Sequence, residues 1–198
     1  MELEGRGVVV RERRPEDLPR LLTELIEQQR LTGYPQAAGE ATVQFIARDH
    51  ELAAFVAEVD GVPIGHVLVQ SAADLRHDEE GVVLAAWERG HGLPASRLGV
   101  IGALFIGNRV RGRGVGTLLL DTATQWCLDH GLGPCLDIVP NRTNALAMYR
   151  ARGWRTVAET ETVWMVPGSP LVHVMVYGGG GGGAAPRESA RRPAGTAC

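Results

Sequence analysis

The run Arg111-Gly112-Arg113-Gly114-Val115-Gly116 sets cations among glycines, between an apolar stretch (Val100 to Ile106) and an amphipathic one (Val115 to His130). That order predicts a strand, a bare turn and the start of a helix. Glycine has no Cβ to hold a ligand off the backbone, and the first amides of a helix lack intrahelical acceptors. Such a turn converges N–H donors at the positive end of a helix dipole. The chemistry it suits is phosphate binding.

Spacing separates the phosphate ligands. Gly107 and Gly112 have the interval of a nucleoside-triphosphate loop, but Arg113 and Gly114 follow where Lys and Ser or Thr are required, which argues against an NTPase. The dinucleotide pattern G-x-G-x-x-G fails at Thr117 and at Leu119, although Asp137 lies about 20 residues downstream, as a nicotinamide-linked oxidoreductase would need, and keeps that alternative open. What remains is Arg-x-x-Gly-x-Gly over Arg111 to Gly116. This resembles the acetyl-CoA pyrophosphate loop of the GNAT N-acetyltransferase superfamily. A second segment supports the resemblance: Cys135-Leu136-Asp137-Ile138-Val139, then Pro140 to Trp154 with Asn144-Ala145, Tyr149 and Gly153-Trp154, is similar to the family's closing strand, short helix and Gly-aromatic pair. The resemblance covers Val8 to Tyr177 and is strongest over Leu104 to Trp154.

The backbone of Arg111, Gly112, Arg113, Gly114, Val115, Gly116 and Thr117 is the expected cofactor site, with pyrophosphate on the amides of the turn and helix start. The resemblance implies that the preceding strand, near Phe105 and Ile106, parts from its neighbour, pairs with the pantetheine arm and offers an N–H to the acetyl carbonyl. It also implies that Asn144, or Asn141, contacts the cofactor, although helix capping explains one of them equally. Tyr149 matches the family's tyrosine facing the cofactor sulfur. A phenol, with a reference pKa of about 10, holds a proton for a departing thiolate at neutral pH.

The catalytic base is the weak point. Many relatives carry Glu before the glycine turn, whereas this stretch reads Val100-Ile101-Gly102-Ala103-Leu104. Water, or Asp137 on the following strand, would have to serve, and Asp137 reads equally as hydrogen-bonded structure. His66, alone on a strand, reads as a satisfied core histidine. His77-Asp78-Glu79-Glu80 reads as a solvated loop, so no metal is expected.

The elements that must position these groups follow from pattern. Val8 to Arg11 predicts a strand. Arg14-Pro15-Glu16-Asp17 opens a helix with Leu18, Leu21, Leu22, Leu25 and Ile26 as its buried stripe, and Glu40 to Asp49 predicts a second. Ala53 to Val59 and Pro63 to Gln70 form a hairpin about Asp60-Gly61. The helix after the glycine turn places Val115, Leu118, Leu119, Thr122, Ala123, Trp126 and Cys127 on one face and stops at Gly131. Val157 to Val166 and Val172 to Tyr177 predict two antiparallel strands. Substrate selection is expected from Leu31 to Gly39, with Tyr34, and from the His77 to Arg97 connection, with Trp87 and His91, since recognition residues concentrate on loops.

At 198 residues and 44% hydrophobic the chain fits one domain, 1–177, followed by a Gly, Ala, Pro and Arg-rich tail, 178–198, too poor in apolar surface to fold. A net charge of -3 argues against nucleic acid or an anionic membrane as partner. Three cysteines, Cys127 and Cys135 at apolar positions and Cys198 in the tail, make no disulfide framework. A cytoplasmic location is expected, with no signal peptide or apolar span. Oligomeric state is open, a homodimer included. The expectation is therefore a single α/β domain of GNAT type, with a mixed, mostly antiparallel sheet and helices on both faces. It moves an acetyl or related acyl group from acetyl-CoA to a primary amine of a small molecule or peptide by direct attack in a ternary complex. The alternative is a non-catalytic acyl-CoA sensor.

Overall fold

The computed structural model describes residues 7–35, 41–75, 81–140, 145–161 and 170–178. Seven strands form a single sheet in the order β1-β2-β3-β4-β5-β7-β6: β1 Val9–Glu12, β2 Glu51–Val59, β3 Val62–Ser71, β4 Leu98–Ile106, β5 Gly133–Ile138, β6 Trp154–Thr160 and β7 Val172–Tyr177. Every neighbouring pair is antiparallel except β4 and β5. This is the expected mixed sheet. It removes the oxidoreductase alternative, whose fold needs a mostly parallel one.

Helices cover both faces. Along β4, Val100 and Gly102 point to one face and Gly99 and Ile101 to the other, by strand alternation. On the first face lie α1 (Leu18–Thr32), the single turn α2 (Val43–Ile46) and α3 (Val82–His91); on the second lie α4 (Val115–Asp129) and α5 (Ala145–Ala151). Leu21, Leu25, Ile46, Val56 and Phe105 pack under α1 and α2. Val115, Leu119, Leu120, Ala123 and Cys127 of α4 pack over the centre of the sheet with Val67, Val69 and Ile101.

The β2–β3 hairpin turns at Asp60 and Gly61, with φ of 51° and 75°. Two consecutive positive φ values give the turn whose twist suits adjoining strands, hence the Asp-Gly pair. The predicted stripe of α1 holds at Leu21 and Leu25, but Glu24 and Gln28 are buried beside them, while on α4 Leu118 is exposed and Leu120 and Thr124 are buried in its place. The Glu40–Asp49 helix is limited to Val43–Ile46, because Thr42 caps it by accepting from Phe45 N–H and the chain is extended again at Ala47, turning toward β2. Residues 36–40 and 179–198, and with them most of the tail, lie outside the described residues, as does the 162–166 part of the strand expected to reach Val166.

Candidate active site

Strands β4 and β5 pair only over Leu98↔Gly133, Gly99↔Pro134 and Val100↔Cys135. Beyond Val100 the two part. The backbone of β4 from Ile101 to Ile106 and that of β5 from Leu136 to Ile138 then line opposite walls of a cleft of about 810 Å³. A parted parallel pair leaves main-chain donors and acceptors facing a gap, which a ligand with amide groups can satisfy.

The opening coincides with a defect on the other edge of β4. His66 pairs with Phe105 and Leu68 with Gly102, so Ala103 and Leu104 together oppose Val67. This is a β-bulge, and it bends the strand carrying it. Ala103 sits at φ 46°, a left-handed conformation rare for a residue with a Cβ. The bulge is held from behind by His66, fully buried, whose Nδ1 lies 3.0 Å from Ala103 O. Arg13 Nη1 approaches His66 Nε2 at 3.4 Å and also binds Ile46 O at 2.6 Å and Glu51 Oε2 at 3.1 Å. Burial, offset in part by that backbone hydrogen bond, pushes the imidazole down to about 3, so His66 is a neutral structural group, as the sequence suggests.

At the C-terminal end of β4 the chain passes through the glycine turn. Gly112 and Gly114 have φ of 76° and 79°, which a side chain would strain. Leu118 N–H donates to Gly114 O at 2.9 Å, starting the helical ladder and leaving the amides of Val115, Gly116 and Thr117 ahead of it. Ideal Cβ atoms built on Gly112 and Gly114 meet nothing within 4 Å, so the backbone there is open to an approaching group.

The structure brings Phe105, Ile106, Arg111, Gly112, Gly114, Gly116, Thr117 and Tyr149 to this single cleft. Phe105 does so by its backbone, since its ring is buried among Leu21, Leu25 and Val56. Val115 and Arg113 are not on the lining: the Val115 side chain is in the α4 core, and Arg113 points to solvent. Asn144 and Asn141 lie outside the described residues, as does His77-Asp78-Glu79-Glu80.

Tyr149 on α5 is 9% exposed and meets the cleft with its ring edge-on to Trp154, centroids 6.1 Å apart. Burial, and then the neighbouring Tyr34 and Asp137, raise its phenol pKa above the ordinary value. The proton stays on the oxygen. Asp137, two residues past the last paired position of β5, lines the opposite wall.

Two expected substrate-selecting residues are elsewhere. The described part of the 77–97 connection, 81–97, folds largely as α3, whose apolar Val83, Ala86 and Trp87 are drawn into a core against β5 and β7. Trp87 is fully buried with its indole N–H donating to Leu136 O at 3.2 Å, and His91 is fixed to Pro134 O at 2.8 Å. Tyr34 does line the cleft. Sequence reasoning missed Arg48, which reaches the same space from the turn after α2. Its Nε donates to Phe45 O at 3.2 Å, its Nη1 to Gln70 Oε1 at 3.1 Å, and its guanidinium lies 4.8 Å over the Phe45 ring. No pattern signals it, because a lone Arg after a helical turn reads as surface.

Known proteins place this arrangement in one class. The Acetyltransferase (GNAT) family profile matches residues 19–154, and the chain belongs to that family. Among solved structures it is similar in fold to an N-acetyltransferase from Staphylococcus aureus Mu50 (15% identity, TM-score 0.63, covering 86% of this chain and 96% of that one). It is likewise similar to a GCN5-related N-acetyltransferase from Kribbella flavida (18%, 0.60, 85% and 96%). Arabidopsis thaliana NAA60 in complex with acetyl-CoA is a third (18%, 0.59, 86% and 98%). No curated protein matches the chain significantly. Among the described residues, no helix is long and apolar enough to cross a membrane.

Proposed function

We propose that this chain moves an acetyl, or related acyl, group from acetyl-CoA to a primary amine by direct attack in a ternary complex. The observation that carries this reading is continuity: one cleft runs from the open amides of the glycine turn, along the unpaired edge of β4, to the Tyr149 hydroxyl. The amides of Gly112 to Thr117 receive the pyrophosphate at the helix start, with Arg111 beside it. The free edge of β4 at Phe105 and Ile106 pairs with the pantetheine amides, and its N–H groups lie where the acetyl carbonyl gains charge. Asn144 is proposed as a further cofactor contact. When bound, acetyl-CoA supplies an activated thioester.

Tyr149 acts as general acid. Its buried phenol gives its proton to the departing thiolate as the amine nitrogen forms its bond to the acetyl carbon. Water relays the amine proton, with Asp137, the one carboxylate among the described lining residues, as the candidate base. Direct transfer is supported by the cysteines: Cys127 and Cys135 are fully buried, neither lines the cleft, and burial pushes the Cys127 thiol up to about 12. Neither is placed or ionised to carry an acyl group.

A second reading, a sensor that binds acyl-CoA without transfer, is favoured by the lack of a carboxylate on β4, where Gly102 faces the cleft. Calorimetric titration with acetyl-CoA, against Gly114→Glu as a blocked control, followed by an amine panel, separates them. Binding lost in the variant together with turnover supports transfer; binding with no turnover, indifferent to Tyr149→Phe, supports the sensor; absent binding overturns both.

A further inference from the structure

At mid-strand the cleft carries charge that cofactor binding does not use. The guanidinium of Arg48 stands in front of Gly102, its Nη1 3.6 Å from where a Cβ on that glycine would lie. From Ile106, beside the glycine turn, to Gly102 the register on β3 runs from Gly65 to Leu68, three residues or about 10 Å. Arg48 is therefore well along the cleft from the phosphate site, level with the bulge at Ala103.

Its surroundings hold it with no carboxylate in contact, Asp137 acting on it only across the cleft. Phe45 O and the Gln70 amide are uncharged acceptors, and the Phe45 ring offers only its π face. No carboxylate among the described residues lies within ion-pair distance of it, and the rest of its fork has no acceptor there. Asp137 is level with Gly102 on the other wall, both being two residues past the Val100↔Cys135 pair. At this level the cleft thus sets a half-buried cation on one wall and a carboxylate on the other. A cation removed from water without a counter-ion is costly, and a guanidinium in that state is best satisfied by a planar anion that can take two parallel N–H bonds. A single guanidinium balances a carboxylate more closely than a phosphate dianion.

We propose that the acceptor is a primary amine that also carries a carboxylate, an amino acid or close analogue, and that Arg48 is the residue that selects it by binding that carboxylate. This rests on the transferase reading above. With the carboxylate on Arg48 at the level of Gly102, the amine extends along β4 toward the N–H groups of Phe105 and Ile106, where the thioester carbonyl is proposed to lie. Arg48 is a specificity-determining residue and takes no part in bond making.

The test pairs each common amino acid with its α-amide as acceptor, for the native chain, Arg48→Gln and Arg48→Lys. The native chain is expected to favour the carboxylate by roughly 10- to 100-fold in kcat/KM. Arg48→Gln should bring that ratio to within about twofold, chiefly through KM, with acetyl-CoA affinity unchanged, and Arg48→Lys should restore part of it. Amides that serve as well as acids, or an equal loss for both in Arg48→Gln, would overturn the assignment. So would a larger Arg48-dependent gain for O-phosphoethanolamine over ethanolamine, which would make the anion a phosphate. If no amine is turned over, the CoA-loaded chain is titrated with N-acetyl amino acids and their amides. A carboxylate preference lost in Arg48→Gln then upholds the anion subsite while the transferase reading fails, and no preference overturns the subsite itself. Thermal melts of the variants show that each is folded.

Discussion

The imidazole of His66 and the carbonyl of Ala103 meet over 3.0 Å, at the point where β4 bulges away from β3. A carbonyl only accepts, so Nδ1 carries the ring proton and Nε2 is left to accept from Arg13. One neutral tautomer satisfies both neighbours. The bulge, next to the point where β4 parts from β5, is therefore secured by a polar chain running from Glu51 through Arg13 and His66.

That neutrality has a pH signature. Burial holds the folded-state pKa of His66 down to about 3, while the ring in the unfolded chain titrates at 6.5. Between those values the unfolded state binds a proton that the folded state does not, so the contribution of the neutral ring is complete above about pH 6.5 and is lost as pH falls toward 3. Urea unfolding should show about 2 kcal/mol of loss from this group between pH 7 and pH 5, and His66→Gln should flatten that slope. An unchanged acid slope in the variant would move its origin elsewhere.

The left-handed Ala103 makes a pair of opposite expectations. Ala103→Gly removes the Cβ strain at φ 46° and should keep activity while changing stability by no more than about 1 kcal/mol, most simply upward. Ala103→Val forces a β-branched side chain into the same conformation and should cost about 2 kcal/mol or more, with transfer falling alongside. Equal stabilities for the two variants would show that the bulge does not need this backbone.

Tyr149→Phe keeps the ring packed on Trp154 and removes only the proton. The expectation is a fall in kcat of about a hundredfold with acetyl-CoA affinity held within about twofold. Because burial raises the phenol pKa, the native rate should show no alkaline limb from this group below about pH 10. A variant as fast as the native chain would transfer the acid role to water.

On the far side of the sheet, a Cβ at Gly99 would lie 2.7 Å from Cys127 Sγ. Gly99→Ala should therefore destabilise by about 1–3 kcal/mol through overpacking of α4 on β4. Adding Cys127→Ala should recover about 1 kcal/mol or more of that loss, a coupling readable by denaturant titration of the four-member cycle.

Much of this was legible in the chain. The glycine turn was, because positive φ at Gly112 and Gly114 leaves few other residue types able to stand there, and so was the Asp60-Gly61 hairpin for the same reason. Apolar spacing marked α1, α4 and the strands. The bulge was not legible: Ala103 takes a conformation that its residue type does not advertise, and the His66 ring that supports it is 37 positions away in sequence. Nor was Arg48, whose partner Gln70 is 22 positions off, or the burial of Trp87, which depends on the sheet α3 happens to cover. Local pattern fixes elements; which side chains face one cleft is decided by packing between distant ones.

The buried thiols carry a last implication for the proposed binding of a reactive thioester. Burial pushes Cys135 well above its ordinary value, as it does Cys127, so both are protonated and walled off. The chain also contains no lysine, all 20 of its strongly basic residues being arginine. Guanidinium groups keep their proton and do not attack thioesters at neutral pH. The protein thus offers its own acyl donor no side-chain amine and, among the described residues, no thiolate. Donor consumed without added acceptor then reports hydrolysis together with any acylation of Cys198 or a chain-terminal amine.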